Sequence, residues 1–188
     1  ANGSRTKTGL IGEIPASAYA GTESSYATSY NDAAIYVMSR FGGEEGDLNH
    51  GLQGDWQEGP AGVPELSLHQ EEIDTLNLIK NSGKFSKIIV VVNSGYAMDL
   101  GWLADYGVDA CLWIGYPGNY GMTGVAQILG GQADPSGRNA ITYAADSLSS
   151  AAMQNAGDFT FDNLTGLYKN KYLVYAEGIY VGYKYYET

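Results

Sequence analysis

Short apolar runs and helical stripes alternate along the first two thirds of this 188-residue chain. Three runs have the length of strands: 33–39 (AAIYVMS), 87–93 (KIIVVVN) and 110–115 (ACLWIG). The second run is rich in β-branched residues and does not alternate between apolar and polar positions. This pattern is typical of a strand that is covered on both faces.

Segments with helical signals separate these runs. Ser67 and Gln70 have the spacing of a capping box, which predicts a helix that begins near Ser67 and ends at an Asn-Ser-Gly sequence. Shorter helices are predicted over 98–105 and from Tyr120 to 129–131. Because strands alternate with helices, we expect an α/β fold in which a mainly parallel β-sheet is sandwiched between helices.

The two ends of the chain lack this alternation of predicted strands and helices. Residues 1–30 are interpreted as an N-terminal extension or linker, which leaves 31–188 for the α/β sandwich domain. The Tyr-rich tail 172–187 fits either an extended edge segment or an interdomain contact. Residues 1–9 contain no apolar stretch, so no signal peptide is expected in this segment, and the compartment, bacterial cytoplasmic or secreted, stays open.

Composition excludes several classes of partner. The net charge of −11 and the pI near 4.4 argue against a nucleic acid or an anionic membrane. No apolar run approaches the roughly 20 residues of a membrane span. The single cysteine, Cys111, allows neither an internal disulfide nor a multi-cysteine zinc site. The 16 tyrosines suit half-buried surfaces, interfaces or sugar contacts.

In a parallel sheet, the loops that follow the carboxyl ends of the strands carry the chemistry. Three loops qualify: 42–47 (GGEEGD), 93–99 (NSGYAMD) and 115–121 (GYPGNYG). The first places Glu44, Glu45 and Asp47 among glycines directly after a buried strand. Composition alone favours a solvated acidic loop there over a catalytic one.

The other two loops give weaker chemical signals. Residues 115–124 match neither a P-loop nor a dinucleotide fingerprint, so a tight turn is favoured and no cofactor is expected. Ser94 lacks the flanking pattern of a nucleophile elbow, and His50 and His69 offer little support for a Ser-His-Asp triad. One histidine with scattered acids is also weak evidence for a metal, and no metal site is predicted.

The stretch SRFGGEEGDLN (39–49) resembles the acid/base loop of glycoside hydrolase family 3, which follows a buried strand in the C-terminal domain of that family. Further stretches resemble the family in the same order along the chain: 66–103, 109–143 and 175–188. Several specific motifs in a fixed order carry far more weight than any one of them. The resemblance is closest to β-glucosidase-like members from anaerobic gut bacteria.

The resemblance implies an active site shared by two domains. In the family, a (β/α)8 barrel supplies an Asp nucleophile, and the α/β sandwich domain supplies an acid/base Glu. A chain of 188 residues has no room for such a barrel as well, so we expect the barrel in cis or as a separate chain, with a β-glucoside or an oligosaccharide as substrate. This chain alone is then expected to be inactive. A non-catalytic carbohydrate-binding or regulatory module of the same fold is the alternative.

The resemblance also assigns residues within the acidic loop. Aligned without gaps, Glu44 falls on the acid/base position, whereas Glu45 stands where a glycine is usual. A shift of one residue would make Glu45 the acid/base, and we favour Glu44. Arg40, Phe41 and Asp47 are the corresponding candidates for substrate binding.

Overall fold

The computed structural model describes residues 13–26, 28–40, 65–155, 159–163 and 170–188. The chain divides into two compact units. The first comprises Ala1–Gly42, Leu68–Tyr96 and Trp102–Gly137, and the second comprises Gly43–Ser67, Ala97–Gly101 and Arg138–Thr188. The assignment of 1–30 as an extension and of 31–188 as one domain stays a prediction.

A three-stranded parallel sheet forms the centre of the first unit. Its strands are β1 (Ala34–Ser39), β2 (Ile88–Asn93) and β3 (Ala110–Trp113), in the order β1-β2-β3. The predicted strands and their parallel direction are therefore confirmed. Strand β3 ends two residues earlier than expected, and Gly115, just beyond it, takes a left-handed conformation (φ 57°).

The central strand is buried on both faces, as its sequence predicts. Val90, Val91 and Val92 are all buried, although successive side chains of a strand point to opposite faces. Strand β1 alternates instead: Tyr36 and Met38 are buried, on the strand that contacts the helix α2 (Gln70–Ser82). The intervening Ile35 and Val37 are 50% and 47% exposed. One face of the sheet therefore holds most of the core.

Helix α2 begins three residues later than predicted. The backbone N–H of His69 donates to Oε2 of Glu72 (2.7 Å), which makes His69 the residue that caps the helix. Ser67 donates its hydroxyl hydrogen to Oδ2 of Asp99 (2.8 Å). The capping-box prediction for Ser67 and Gln70 is therefore wrong. The helix ends, as predicted, at Gly83, whose φ of 62° is readily adopted by glycine.

The helix predicted over 98–105 is reduced to a 3-10 turn at Gly101–Leu103. The backbone N–H groups of Asp99 and Leu100 donate to carbonyls of remote residues, those of Leu66 and Ala144, and not to carbonyls one turn earlier. Remote pairing therefore overrides the local helical pattern. By contrast, helix α3 (Gly118–Leu129) confirms the prediction for that segment and starts two residues earlier than expected.

Smaller elements complete the two units. The first unit also contains a 3-10 turn at Ala16–Ala18 and helix α1 (Thr22–Tyr26). The second unit contains helix α4 (Ala151–Gln154), an antiparallel pair of strands and helix α5 (Tyr183–Tyr186). The paired strands are β4 (Phe159–Thr160) and β5 (Lys171–Tyr172). The Tyr-rich tail forms turns and one helical turn after β5, and not a continuous edge strand.

Candidate functional site

The three parallel strands place their carboxyl ends at the same edge of the sheet. Ser39 pairs with Asn93, and Val92 pairs with Trp113, so β1, β2 and β3 end side by side. The segments that leave this edge are the ones in which the sequence predicts the chemistry. Phe41, Glu44, Glu45 and Asp47 lie outside the described residues, and their roles stay predictions.

Arg40 is described, and its side chain is buried at this edge. Its Nη1 lies 2.6 Å from Oε1 of Glu72, and its Nη2 lies 2.7 Å from Oε2 of the same carboxylate. Nη1 also donates to the carbonyl oxygen of Ser39 (3.0 Å). Two parallel N–H···O bonds fix the orientation of both planar groups. Arg40 is thus engaged with protein groups, and a direct contact of its side chain with substrate stays a prediction.

The side chain of Arg40 follows from the alternation along β1. Tyr36 and Met38 point into the core, and Arg40, two residues further along, continues this buried series. A guanidinium buried there needs a counter-charge, since an unpaired buried charge costs several kcal/mol. Glu72, in the first turn of α2, supplies that charge.

Tyr36 joins the same buried cluster. Its hydroxyl donates to Oε2 of Glu13 (3.1 Å). Burial, and then the negative charges of Glu72 and Glu13, raise the pKa of Tyr36 far above its ordinary value, while Arg40 opposes the rise. Tyr36 therefore stays protonated at any physiological pH and acts as a hydrogen-bond donor.

The loop after β2 is tied down by Ser94. The Ser94 hydroxyl accepts from the backbone N–H of Tyr96 (3.0 Å), and its carbonyl oxygen accepts from the indole N–H of Trp113 (2.7 Å). Ser94 is fully buried. These contacts give Ser94 a role in shaping the turn, in agreement with the absence of a nucleophile motif around it.

The loop after β3 packs closely against the loop after β2. A Cβ added to Gly95 would lie 2.5 Å from Cε2 of Tyr116, so the ring lies against this exposed glycine. Gly115 and Gly118 both take left-handed conformations, with φ of 57° and 61°. These conformations suit the two glycines between β3 and α3, and the tight turn favoured by the sequence stays a prediction.

Among the residues that the structure describes, no group of three His, Cys, Asp or Glu side chains is placed to hold a metal ion. Within the same residues, none of the helices is both long and apolar enough to cross a bilayer.

Sequence reasoning missed two residues of this edge. Glu72 was overlooked because the helix was expected to begin at Ser67, whereas the spacing of His69 and Glu72 is the one that forms the cap. Trp113 lies in an apolar run and in the stretch 109–143 that resembles the family, but no contact of its side chain was predicted. Its bond to Ser94 joins β3 to the loop after β2 and has no local signal in the sequence.

Comparison with known families adds to this geometry. Residues 12–183 match the sequence profile described as the glycosyl hydrolase family 3 C-terminal domain. The match includes the described carboxyl edge of the sheet and also the acidic segment 42–47.

Individual relatives agree with the family match. The chain is 29% identical over 162 residues to a beta-glucosidase of Ruminococcus albus, an alignment that covers 86% of this chain and 15% of the relative. It is 29% identical over 185 residues to beta-glucosidase A of Butyrivibrio fibrisolvens, covering 86% of this chain and 20% of the relative. A beta-glucosidase of Rhizobium radiobacter is 25% identical over 138 residues, which is 73% of this chain and 16% of the relative. The chain thus spans a fifth or less of the length of these relatives.

Proposed function

Because the chain belongs to glycosyl hydrolase family 3, as a C-terminal domain of that family, we propose that it forms half of the active site of a retaining β-glycosidase. The observation that carries the proposal is the family match over residues 12–183, with the carboxyl edge of a parallel sheet inside it. A separate catalytic domain, a (β/α)8 barrel in cis or on another chain, supplies the nucleophile.

In this proposal Glu44 is the general acid/base. A retaining glycosidase needs two carboxyl groups about 5–5.5 Å apart, one that attacks the anomeric carbon and one that protonates the leaving oxygen. The same second group then deprotonates the water that releases the sugar. Glu44 fills the second role, because it falls on the acid/base position of the motif without gaps. Glu45 fills it instead if the motif is shifted by one residue.

The acids around Glu44 adjust its protonation. A general acid must hold its proton near neutral pH, and negative charge nearby favours the protonated form. Glu45 and Asp47 supply such charge in the proposal. We also propose that Phe41 and Asp47 contact the sugar, and that Arg40 contributes by holding the start of this segment at the carboxyl end of β1.

The substrate is a β-glucoside or an oligosaccharide. Support comes from the name β-glucosidase carried by the bacterial relatives that align with most of this chain. A non-catalytic carbohydrate-binding or regulatory module is the competing outcome of the experiment below.

Activity assays of the chain alone and of the enzyme that contains it test the proposal. The chain alone is expected to release no nitrophenol from 4-nitrophenyl β-glucoside above background, whereas the complete enzyme turns it over. In the complete enzyme, Glu44→Gln is expected to slow hydrolysis of cellobiose by roughly 10²–10⁴. Turnover by the purified chain without a partner would contradict the shared site. A complete protein that binds sugars without hydrolysing them would favour the non-catalytic module.

A further inference from the structure

We propose that Glu72 is a positioning residue for the acid/base segment and that it acts through Arg40. The inference rests on the proposed function, which places the acid/base a few residues after Arg40. Glu72 lies 32 positions along the chain from Arg40, on a different element, in a stretch that resembles the family but carries no assigned catalytic role.

The first step is the way in which one carboxylate holds two elements. Oε1 of Glu72 accepts from Nη1 of Arg40. Oε2 accepts both from Nη2 of Arg40 (2.7 Å) and from the backbone N–H of His69 (2.7 Å). Hydrogen bonds to the same carboxylate therefore hold both the end of β1 and the start of α2.

The second step is that the backbone of Arg40 is held as well. Its N–H donates to the carbonyl oxygen of Asn93 (3.3 Å), which continues the ladder between β1 and β2 by one residue. Main chain and side chain of Arg40 are thus anchored on two sides. Arg40 is the last residue of this ladder that the structure describes before the acidic segment.

The third step is distance along the chain. Glu44 follows Arg40 by four residues, and four residues of fully extended chain span at most about 14 Å. The position and direction of the chain at Arg40 therefore set the point from which the segment carrying Glu44 starts. A catalytic acid must sit within a fraction of an ångström of its productive position, and a 1 Å misplacement can cost about 10²-fold in rate.

The fourth step concerns the role of the ion pair between Arg40 and Glu72. A buried ion pair is weak evidence for stability, because apolar side chains of similar volume often stabilise a core as well or better. What apolar side chains cannot supply is a planar, two-bond orientation. The bidentate geometry of Arg40 and Glu72 therefore points to orientation as the function of the pair.

The test uses the complete enzyme and two substrates that differ in leaving group. Cellobiose needs protonation of its leaving oxygen, whereas 2,4-dinitrophenyl β-glucoside hardly needs it for the glycosylation step. Glu72→Gln is expected to lower kcat/KM for cellobiose by roughly 10- to 100-fold while leaving kcat/KM for the dinitrophenyl glucoside within about twofold. Arg40→Lys is expected to give the same pattern, since one ammonium cannot reproduce the fork.

Glu71→Gln is the matched control. Glu71 is the neighbouring acid in the first turn of α2, and it is exposed. This variant removes the same charge from the same helix end without touching Arg40. It is expected to leave both substrates unchanged.

A double variant separates positioning from folding. Arg40→Met with Glu72→Met keeps the volume and removes both charges, so the domain folds without a buried unpaired ion. We expect it to recover most of the stability that Glu72→Gln loses, apart from the cap contact with His69, and still to lose cellobiose hydrolysis selectively. Full activity on cellobiose in this double variant, or equal losses on both substrates, would overturn the positioning role.

Glu44→Gln and Glu45→Gln, assayed beside these variants, separate this inference from the proposed function. If either shows the leaving-group dependence and the Glu72 variants do not, only the positioning role is wrong. If neither Glu44→Gln nor Glu45→Gln shows it, the acid/base assignment fails, and the inference that rests on it fails too.

Discussion

Two ion pairs join neighbouring elements at opposite edges of the parallel sheet. At the carboxyl edge, Arg40 and Glu72 approach to 2.6 Å, and their side chains are 7% and 4% exposed. At the amino edge, Lys87 precedes β2 and Asp109 precedes β3; they approach to 2.9 Å, and their side chains are 61% and 36% exposed. The two pairs have the same charges and similar distances, but the first pair is buried and the second is exposed to solvent.

This difference decides what each pair can do. Water and salt screen the pair of Lys87 and Asp109, so it fastens two strand ends with little consequence for stability. The pair of Arg40 and Glu72 is buried, so water and salt screen its attraction far less, and removing one partner is costly. In the proposed function the carboxyl edge carries the chemistry and needs fixed orientation, whereas the amino edge only needs the strands to stay together. The difference in burial is what the proposed positioning role of the Arg40–Glu72 pair predicts.

The largest expected effect comes from breaking the buried pair on one side. Glu72→Gln removes the carboxylate that binds the buried guanidinium of Arg40 through two bonds and is expected to cost about 3–5 kcal/mol of unfolding free energy. Urea unfolding of the chain measures this loss. The double variant Arg40→Met with Glu72→Met should recover most of it. A cost near zero for Glu72→Gln would show that the two pairs do not differ.

The second largest effect is the loss of folding stability at alkaline pH that comes from the buried Tyr36. The pKa of Tyr36 is raised above its ordinary 10.0, so above that pH the unfolded chain releases a proton that the folded chain keeps. Stability is then lost as pH rises, by about 1.4 kcal/mol per pH unit for one such group. Tyr36→Phe should remove this component of the pH dependence between about pH 10 and 11. Tyr120→Phe, at a highly exposed tyrosine, is the control and should not change the slope.

The smallest effect is expected at the amino edge, under acid conditions. The backbone N–H of Ile88, and then Lys87, lower the pKa of Asp109 below its ordinary 3.8. A lowered pKa contributes stability above the unfolded value that is lost as pH falls through the folded value. The difference in unfolding midpoint between wild type and Asp109→Asn should therefore shrink below about pH 4. It should also shrink in high salt at neutral pH. A difference that is insensitive to both would contradict the exposed character of this pair.

The hydrophobic pattern predicts most of the sheet, because burial of β-branched runs is a local property of the sequence. The strands Ala34–Ser39 and Ile88–Asn93 are found within a residue of their predicted bounds. The helix expected over 98–105 failed where Asp99 and Leu100 bond to residues far along the chain. A short stretch of sequence contains no signal for hydrogen bonds to such distant residues.

The candidate site, like the fold, could be predicted from the sequence only in part. The position of Arg40 after a buried strand follows from its motif, and its burial follows from the alternation along β1. Its partner Glu72 could not be predicted, because the contact depends on how α2 packs on the sheet. The cap at His69, which brings Glu72 into place, uses a residue that is uncommon in that role.

Azide rescue in the complete enzyme tests the central claim, that the acid/base carboxylate lies on the segment after β1. Azide is an anionic nucleophile that needs no general base. In Glu44→Gln it should accelerate release of the sugar from the covalent intermediate and give a β-glycosyl azide, while Glu45→Gln should show neither effect. Rescue of Glu45→Gln alone would move the role by one residue. Rescue of neither variant would contradict the claim that this segment carries the acid/base.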